Sequence, residues 1–221
     1  MRTAIAALGL ALATAACAPS VPESDDPFDS VAQLRGHVCG RAMVGSAVVI
    51  DRGLLVTAAH NVVGSEGGVT ATFEDGVEHP VTLVGIDTQR DLALLSVPTA
   101  ERPAINLSDP VRGEPGRIIR LRAQAERAEV PYTDAEPVIA VGRDMYDQES
   151  NIRRVNVRVR AAAGAGYSGG PVLNSNDEMT GVVYATARLE DMTYANASAE
   201  VQSFQDAIDP TTEVSSGPCS R

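Results

Sequence analysis

One serine in this 221-residue chain stands between glycines in a pattern typical of a catalytic nucleophile. Residues 164–172 read GAGYSGGPV, with Ser168 at the centre. Glycines on both sides of a serine allow a tight turn that exposes its hydroxyl and directs nearby N–H groups to one place. The segment therefore predicts acyl transfer through Ser168, a reaction that needs a general base and a group to orient that base.

The base has to be sought among three histidines, and their positions exclude one fold. His37, His60 and His79 all precede Ser168 in the chain. Residues 166–170 also fit the G-x-S-x-G motif of α/β-hydrolases, but in those enzymes the acid and the histidine follow the serine. The chain order therefore excludes an α/β-hydrolase and requires a base from upstream.

His60 is the histidine whose surroundings fit a base best. It ends the run LLVTAAH at residues 54–60, where an apolar strand and small residues allow close packing. His37 precedes the first strong strand, and His79 lies in a polar stretch typical of a solvated loop. We therefore predict that His60 takes the proton of the serine.

Asp91 is the carboxylate that we expect to orient the imidazole. It opens the run DLALL at residues 91–95. A carboxylate at the edge of a buried strand is costly unless it is paired or hydrogen-bonded. Asp87 is the competitor, but no apolar run follows it directly, and a turn residue explains it better.

The three motifs TAAH (57–60), DLALL (91–95) and GYSGGPV (166–172), in this order, resemble those of the trypsin-like, chymotrypsin-fold serine proteases. The compact bacterial type is the most similar, with the Deg/HtrA protease domain and the glutamyl endopeptidases as examples. The resemblance extends over residues 40–190 and implies two packed six-stranded antiparallel barrels with the active site in the cleft between them. Too few residues follow the last predicted strand for the PDZ domain of Deg-like proteases.

The resemblance also implies a role for each residue of the site. Ser168 attacks the peptide carbonyl, His60 moves the proton, and Asp91 fixes the imidazole tautomer. The N–H groups of Gly166 and Ser168 form the oxyanion hole, and no metal or cofactor takes part. Tyr167 replaces the aspartate of the digestive members, which argues against activation by propeptide cleavage.

The resemblance places the specificity pocket as well. Ala162, six residues before the serine, lies at the pocket floor, and Ala163 follows it. The strand 181–186 forms the opposite wall with Tyr184 and Thr186. Because neither an aspartate nor a histidine is found there, we expect cleavage after a small or aliphatic residue.

The elements that must position these residues are short strands. Apolar runs rich in valine and isoleucine alternate with turn residues, a pattern typical of an all-β barrel or sandwich. Helical signal is confined to one short turn at 58–63 and a terminal helix at 199–208. The predicted strands lie within Ala47–Ile50, Val81–Val84, Leu92–Leu95, Arg117–Leu121, Pro137–Val141 and Val155–Val159.

The beginning of the chain predicts export. Residues 1–16 have one charge and then an apolar run too short to anchor a protein in a bilayer, which indicates a signal peptide. The end of this segment resembles a bacterial lipobox, after which Cys17 is lipidated; ordinary cleavage after Ala15 is the alternative. Residues 17–33 are acidic and proline-rich, as in an extended tether. The protease domain then covers 34–209, with barrels over 34–112 and 117–199, and 210–221 form a tail.

The three cysteines fit the same prediction. If Cys17 carries lipid, Cys39 and Cys219 remain as an even pair in an oxidising compartment. We therefore expect a disulfide between them, with two free thiols as the alternative.

The composition excludes several kinds of chemistry and partner. All 18 basic residues are arginine, so a Walker A loop, a Schiff base and a Ser–Lys dyad are absent. Three scattered histidines and three scattered cysteines do not supply a four-ligand zinc site. A net charge of −11 disfavours nucleic acid. We expect a polypeptide substrate, a monomer, and contact with a membrane only through lipid on Cys17.

Three alternatives to an exported trypsin-like endopeptidase stay open. The first is an inactive protease-fold lipoprotein that binds a ligand, and the second is an esterase that uses the same triad. The third is the subtilisin order Asp51, His60, Ser168, for which the chain is short and lacks long helical patterns. For the protein itself we expect the periplasmic side of the membrane, lipid-anchored or otherwise secreted.

Overall fold

The first half of the chain folds into a closed β-barrel. A computed structural model describes residues 25–97, 100–144 and 152–219. The barrel has six antiparallel strands in the order β1-β2-β3-β6-β5-β4, as predicted for the first unit. Its strands are β1 (Val31–Val38), β2 (Arg41–Asp51), β3 (Leu54–Thr57), β4 (Ser65–Thr72), β5 (Glu78–Asp87) and β6 (Leu92–Ser96).

The second unit is a seven-stranded sheet in the order β8-β7-β11-β12-β13-β10-β9, instead of the predicted six-stranded barrel. β8, an edge strand of this sheet, is one of the strands that the sequence did not indicate, and in it Ala128 and Tyr132 are buried between more exposed neighbours. Pro131 makes this strand difficult to recognise from the sequence. Proline cannot donate a hydrogen bond to a neighbouring strand, so it is found in sheets mainly on edge strands. The strands are β7 (Gly116–Leu121), β8 (Arg127–Tyr132), β9 (Ala135–Gly142), β10 (Ile152–Val159), β11 (Pro171–Leu173), β12 (Met179–Ala187) and β13 (Met192–Ala197).

A shared apolar core holds the two units together. In β6, Leu92 and Leu94 belong to a cluster that also contains residues of the second sheet, whereas Ala93 and Leu95 point into the barrel interior. Because both faces of β6 are buried, its sequence is a continuous apolar run rather than an alternating one. The all-β architecture predicted from the sequence is confirmed by the closed barrel and the second sheet.

Helical structure is limited, also as predicted. The C-terminal helix α1 (Ser198–Asp206) buries Val201 and Phe204 in the shared core. A single 3-10 turn (Ala59–Asn61) occupies the position of the short helical signal after β3. Within the described residues, no helix combines the length and the apolarity needed to cross a membrane.

The folded domain begins earlier than the predicted end of the tether. Pro27–Ser30 form a 3-10 turn, and the Asp26 side chain caps it by accepting the N–H of Phe28 at 3.1 Å. Phe28 and Val31 are buried in the shared core, so the tether cannot extend to residue 33. The acidic, proline-rich surroundings concealed these two core residues. The predicted signal peptide and Cys17 lie outside the described residues.

The C-terminal segment is tied back to the first barrel. The N–H of Val214 donates to the carbonyl of Leu83 at 2.9 Å, and the sulfur atoms of Cys39 and Cys219 are bonded. This bridge joins residues 180 positions apart and fastens the C-terminal tail to the first barrel, as the predicted pairing of Cys39 with Cys219 requires.

Removing the bridge is expected to destabilise the protein substantially. The combined change Cys39→Ser and Cys219→Ser should lower the free energy of unfolding by about 2 to 5 kcal/mol, because the unfolded chain gains the entropy of a long open loop. Urea unfolding of variant and wild type measures the difference. Reductant added to the wild type should reproduce the loss, and equal stability of the oxidised and reduced chains would contradict the prediction.

Candidate active site

The segment around Ser168 forms a tight turn between β10 and β11. Gly166 and Gly169 have φ angles of +86° and +83°, in the left-handed region where glycine is favoured. A Cβ on Gly169 would overlap the carbonyl oxygen of Ser46, so no other residue fits there. The N–H of Gly170 donates to the carbonyl of Tyr167 at 2.8 Å, which closes the turn around Ser168.

The structure brings Ser168, His60 and Asp91 into one hydrogen-bonded chain. The Ser168 Oγ lies 2.5 Å from the His60 Nε2, and the His60 Nδ1 lies 2.8 Å from the Asp91 Oδ2. An ionised carboxylate only accepts, so Nδ1 carries the proton and Nε2 is free to accept the serine hydroxyl. The His60 backbone N–H also donates to the Asp91 Oδ1 at 2.9 Å, which fixes the carboxylate from a second direction.

Asp91 sits in a turn that contacts of the second unit hold in place. Its φ of +58° is uncommon for a residue other than glycine. The Arg90 Nε donates to Glu200 on α1 at 2.7 Å, and the Asn196 side chain donates to the carbonyl of Arg90 at 2.7 Å. Asp87, the competing carboxylate, pairs with Arg90 at 2.5 Å, which gives it a structural partner of its own.

The other two histidines lie on different elements. His37 is exposed on β1, where it pairs in register with Ala42 of β2. His79 is on β5, and its ring packs edge-on against Phe73 at a centroid distance of 5.7 Å. Of the three histidines, only His60 is within hydrogen-bonding distance of Ser168.

Two opposing effects determine the pKa of His60. Burial of the imidazole lowers the pKa, but the hydrogen bond to Asp91 and the negative charge of Asp91 raise it by more. The pKa of His60 therefore lies above its ordinary value of 6.5. The carboxylate makes His60 a stronger base, as proton abstraction from a serine requires.

The raised pKa of His60 predicts the pH below which activity is lost. Only the neutral imidazole accepts the serine proton, so kcat/KM should rise with pH and reach half its maximum above pH 6.5. The same shift of the pKa also affects stability. The protonated form of His60 contributes to the free energy of unfolding at low pH, and this contribution is lost as pH rises through the raised pKa. Initial rates on a peptide substrate, measured across this pH range, give the pH at which kcat/KM reaches half its maximum. A half-maximum below 6.5 would mean that burial outweighs Asp91.

The N–H groups of the two predicted oxyanion donors make no hydrogen bond within the described part of the protein. Among the residues that the structure describes, no acceptor takes the N–H of Gly166 or the N–H of Ser168. Ser168 is half-buried beside them. Two unused N–H groups next to the serine hydroxyl are what an oxyanion hole requires.

The residues predicted to form the specificity pocket are connected through Thr193. Its hydroxyl donates to the carbonyl of Ala161 at 2.6 Å and accepts the N–H of Ala163 at 3.0 Å. Thr193 pairs in register with Thr186 on β12, so the segment that contains Ala162 lies beside that strand. Ala162 is exposed, Ala163 is buried and Thr186 is half-buried.

Tyr184, the remaining pocket residue, belongs to a polar cluster that the sequence did not predict. Its hydroxyl accepts from Asn156 at 2.5 Å, and the guanidinium of Arg154 stacks on its ring at 4.4 Å. Burial raises the pKa of Tyr184 above 10.0, so the hydroxyl stays protonated. Arg154 and Asn156 lie some thirty positions before Tyr184, and no local pattern connects them to it.

Across residues 25–97, 100–144 and 152–219, no three His, Cys, Asp or Glu side chains are grouped so that they could hold a metal ion. The polar groups that converge at Ser168 are a hydroxyl, an imidazole, a carboxylate and two backbone N–H groups.

A two-unit β fold with Ser, His and Asp hydrogen-bonded in its cleft defines the chymotrypsin-like class of proteins. The family model for the trypsin-like peptidase domain matches residues 45–182. The chain belongs to the trypsin-like peptidase family.

Two curated bacterial proteins illustrate the family. Serine protease Rv3671c of Mycobacterium tuberculosis is 26% identical over 184 residues, which are 82% of this chain and 46% of that protein. A protein of Halomonas elongata named "Probable periplasmic serine endoprotease DegP-like" is 27% identical over 149 residues, 67% of this chain and 30% of that one. The chain thus spans less than half the length of these relatives.

Solved structures show the same fold. The active form of the Rv3671c protease from M. tuberculosis aligns with a TM-score of 0.80 at 25% identity, over 96% of this chain and 100% of that one. The inactive form of that protease aligns with a TM-score of 0.69, over 82% and 90%. The HtrA-type protease AlgW, solved with a tripeptide, aligns with a TM-score of 0.66 at 22% identity, over 81% and 60%.

Proposed function

We propose that the protein is an exported serine endopeptidase that hydrolyses peptide bonds through an acyl-enzyme on Ser168. The observation that carries the proposal is the chain of contacts from the Ser168 Oγ to His60 at 2.5 Å and from His60 to Asp91 at 2.8 Å. Each contact has the direction that proton transfer from the serine requires. The names of the relatives, which are serine proteases, support the same activity.

The reaction follows from the geometry of these groups. Ser168 attacks the peptide carbonyl while His60 accepts its proton, and the N–H groups of Gly166 and Ser168 stabilise the oxyanion. His60 then protonates the leaving amine, so that the acyl-enzyme forms. A water molecule, activated by the same imidazole, releases the acid. Asp91 keeps the proton on Nδ1 throughout and stabilises the imidazolium.

The proposed substrate preference rests on the small residues predicted for the pocket floor. Neither Ala162 nor Ala163 carries a charge that could pair with a basic or acidic side chain of the substrate. We propose that the enzyme prefers a small or aliphatic residue on the acyl side of the cleaved bond.

A digest of a synthetic peptide library by the purified protein tests both activity and preference. Cleavage after alanine or valine is the expected result, and cleavage after arginine or glutamate would overturn the proposed preference but not the activity. No cleavage, together with hydrolysis of simple esters, would favour an esterase. Inactivity on both would favour the inactive binding protein.

We further propose that Cys17 is lipidated and holds a monomeric enzyme at the periplasmic side of the membrane. The lipobox before Cys17 and the periplasmic assignment in the name of the Halomonas relative support this location. Labelled palmitate should be incorporated into the exported protein and lost in Cys17→Ser. Incorporation in Cys17→Ser would contradict the site, and no incorporation in either would favour secretion after cleavage at Ala15.

A further inference from the structure

Three buried polar residues of the first barrel form a network directly beneath the serine turn. Ser46 lies on β2, Thr57 ends β3, and Asn61 belongs to the 3-10 turn that also contains His60. Ser46 and Thr57 are completely buried, and Asn61 is 3% exposed. Polar groups buried to this extent are costly unless their hydrogen bonds are made. The partners of these hydrogen bonds therefore indicate which segments the three residues hold in place.

Ser46 makes hydrogen bonds through its hydroxyl, its N–H and its carbonyl, and two of these bonds cross to the second unit. Its hydroxyl donates to the carbonyl of Gly166 at 2.7 Å. Its N–H donates to the carbonyl of Ser168 at 2.8 Å. Its own carbonyl accepts the Thr57 hydroxyl at 2.7 Å. One residue of the first barrel thus holds the carbonyls on both sides of Tyr167.

Asn61 gives the same turn a second support. One amide N–H donates to the carbonyl of Ser168 at 3.0 Å, and the other donates to the Thr57 hydroxyl at 3.0 Å. The Asn61 side chain also fills the space beside Gly45, where a Cβ would collide with it. The side chain is therefore held by packing as well as by hydrogen bonds.

These bonds matter because of the residue that they hold. Gly166, a predicted oxyanion donor, has a φ of +86° and no side chain to restrict its backbone. Each peptide group is planar, so fixing the carbonyls of Gly166 and Ser168 limits rotation on both sides of the turn. From the other side, the guanidinium of Arg120 stacks on the ring of Tyr167 at 4.8 Å.

We propose that Ser46 is a positioning residue that keeps the oxyanion-hole N–H groups aimed at the reacting carbonyl, with Asn61 as its support. The serine turn lies in the second unit, and the residues that hold it lie in the first. The catalytic geometry therefore depends on the packing between the two units. This inference rests on the proposed peptidase activity, since it assigns how that site is held.

The substitution Ser46→Ala tests the proposal. Loss of an entire oxyanion donor costs about 100- to 1000-fold in rate, so loosening one should lower kcat by about 10-fold. KM should change little, because the hole acts on the transition state more than on bound substrate. A peptide trifluoromethyl ketone forms an oxyanion on the serine, and its affinity should fall with kcat. A merely structural role would not produce this joint loss.

Ser30→Ala is the matched control. The Ser30 hydroxyl is also buried and also donates to a backbone carbonyl, that of Pro103 at 2.9 Å, on a segment away from Ser168. This variant loses the same kind of bond and should keep the wild-type kcat. Ser46→Cys retains the volume with a weaker donor, and its kcat should lie between those of Ser46→Ala and the wild type. If Ser46→Ala does not fold, the kcat of Ser46→Cys tests the proposal instead.

The possible outcomes separate this inference from the proposed function. An active wild type with equal kcat in Ser46→Ala and Ser30→Ala would overturn the positioning role and leave the activity intact. If Ser46→Ala is unfolded, a wild-type kcat in Ser46→Cys would overturn it equally. An inactive, folded wild type would instead overturn the proposed function, on which the inference rests.

Discussion

Replacing Ser168 by alanine is expected to lower kcat for peptide hydrolysis by about 10⁶-fold, to the level of binding and oxyanion stabilisation alone. The Ser168 Oγ is the attacking atom. It lies 2.5 Å from the His60 Nε2, and transfer of the hydroxyl proton to that nitrogen activates it. No other described side chain contacts that imidazole nitrogen. Steady-state rates on a peptide that the wild type cleaves measure the loss.

His60→Ala provides the comparison. Because the serine and the base act as one unit, the single changes and the double change should give losses of similar size rather than additive ones. Unfolding curves for each variant establish that the fold is retained. A Ser168→Ala protein with more than a few per cent of wild-type activity would show that another group attacks the substrate.

Replacing Asp91 by asparagine is expected to lower kcat by about 10⁴-fold. Asp91 accepts both from the His60 Nδ1 at 2.8 Å and from the His60 backbone N–H at 2.9 Å. An amide of the same shape can donate to Nδ1 and so favours the tautomer in which Nε2 carries the proton. That tautomer cannot accept the proton of Ser168.

The pH profile of Asp91→Asn gives a second readout. The pKa of His60 is raised by Asp91 against the effect of burial, so in the variant the acid limb should move to lower pH. Asp87→Asn is the matched control, since Asp87 is four positions away and pairs with Arg90 rather than with His60. Asp87→Asn should keep most of the activity, and the acid limb of its pH profile should stay at the wild-type pH. Equal losses in both variants would contradict the role of Asp91.

Much of the fold followed from local patterns in the sequence. β6 was recognisable because both of its faces are buried, which produces the unbroken run Leu92–Leu95. β10 was recognisable because Val155, Val157 and Val159 alternate with Asn156 and Arg158, although the structure exposes Val155 and buries Asn156. The features that local patterns missed depend on distant packing. The segment 17–33 is acidic and proline-rich as a whole, and only the contacts of Phe28 and Val31 with the shared core make its last residues part of the domain.

The candidate triad could be predicted from chain order together with the local surroundings of each residue. No histidine follows His79, which left an upstream base and made His60 the choice by its surroundings. The network of Ser46 and Asn61 could not be predicted in the same way. Ser46 is 120 positions from the Gly166 carbonyl that it binds. A buried serine in an apolar strand carries no sequence signal that identifies its partner.

The central claim is that Ser168 is an activated nucleophile, and labelling with a fluorophosphonate tests it most directly. The reagent bonds covalently to a serine whose proton a neighbouring base removes. Mass spectrometry of the labelled wild type should locate one adduct on the peptide containing Ser168, with none in Ser168→Ala and very little in His60→Ala. An adduct on another residue, labelling that persists in Ser168→Ala, or a folded wild type that is not labelled would contradict the account.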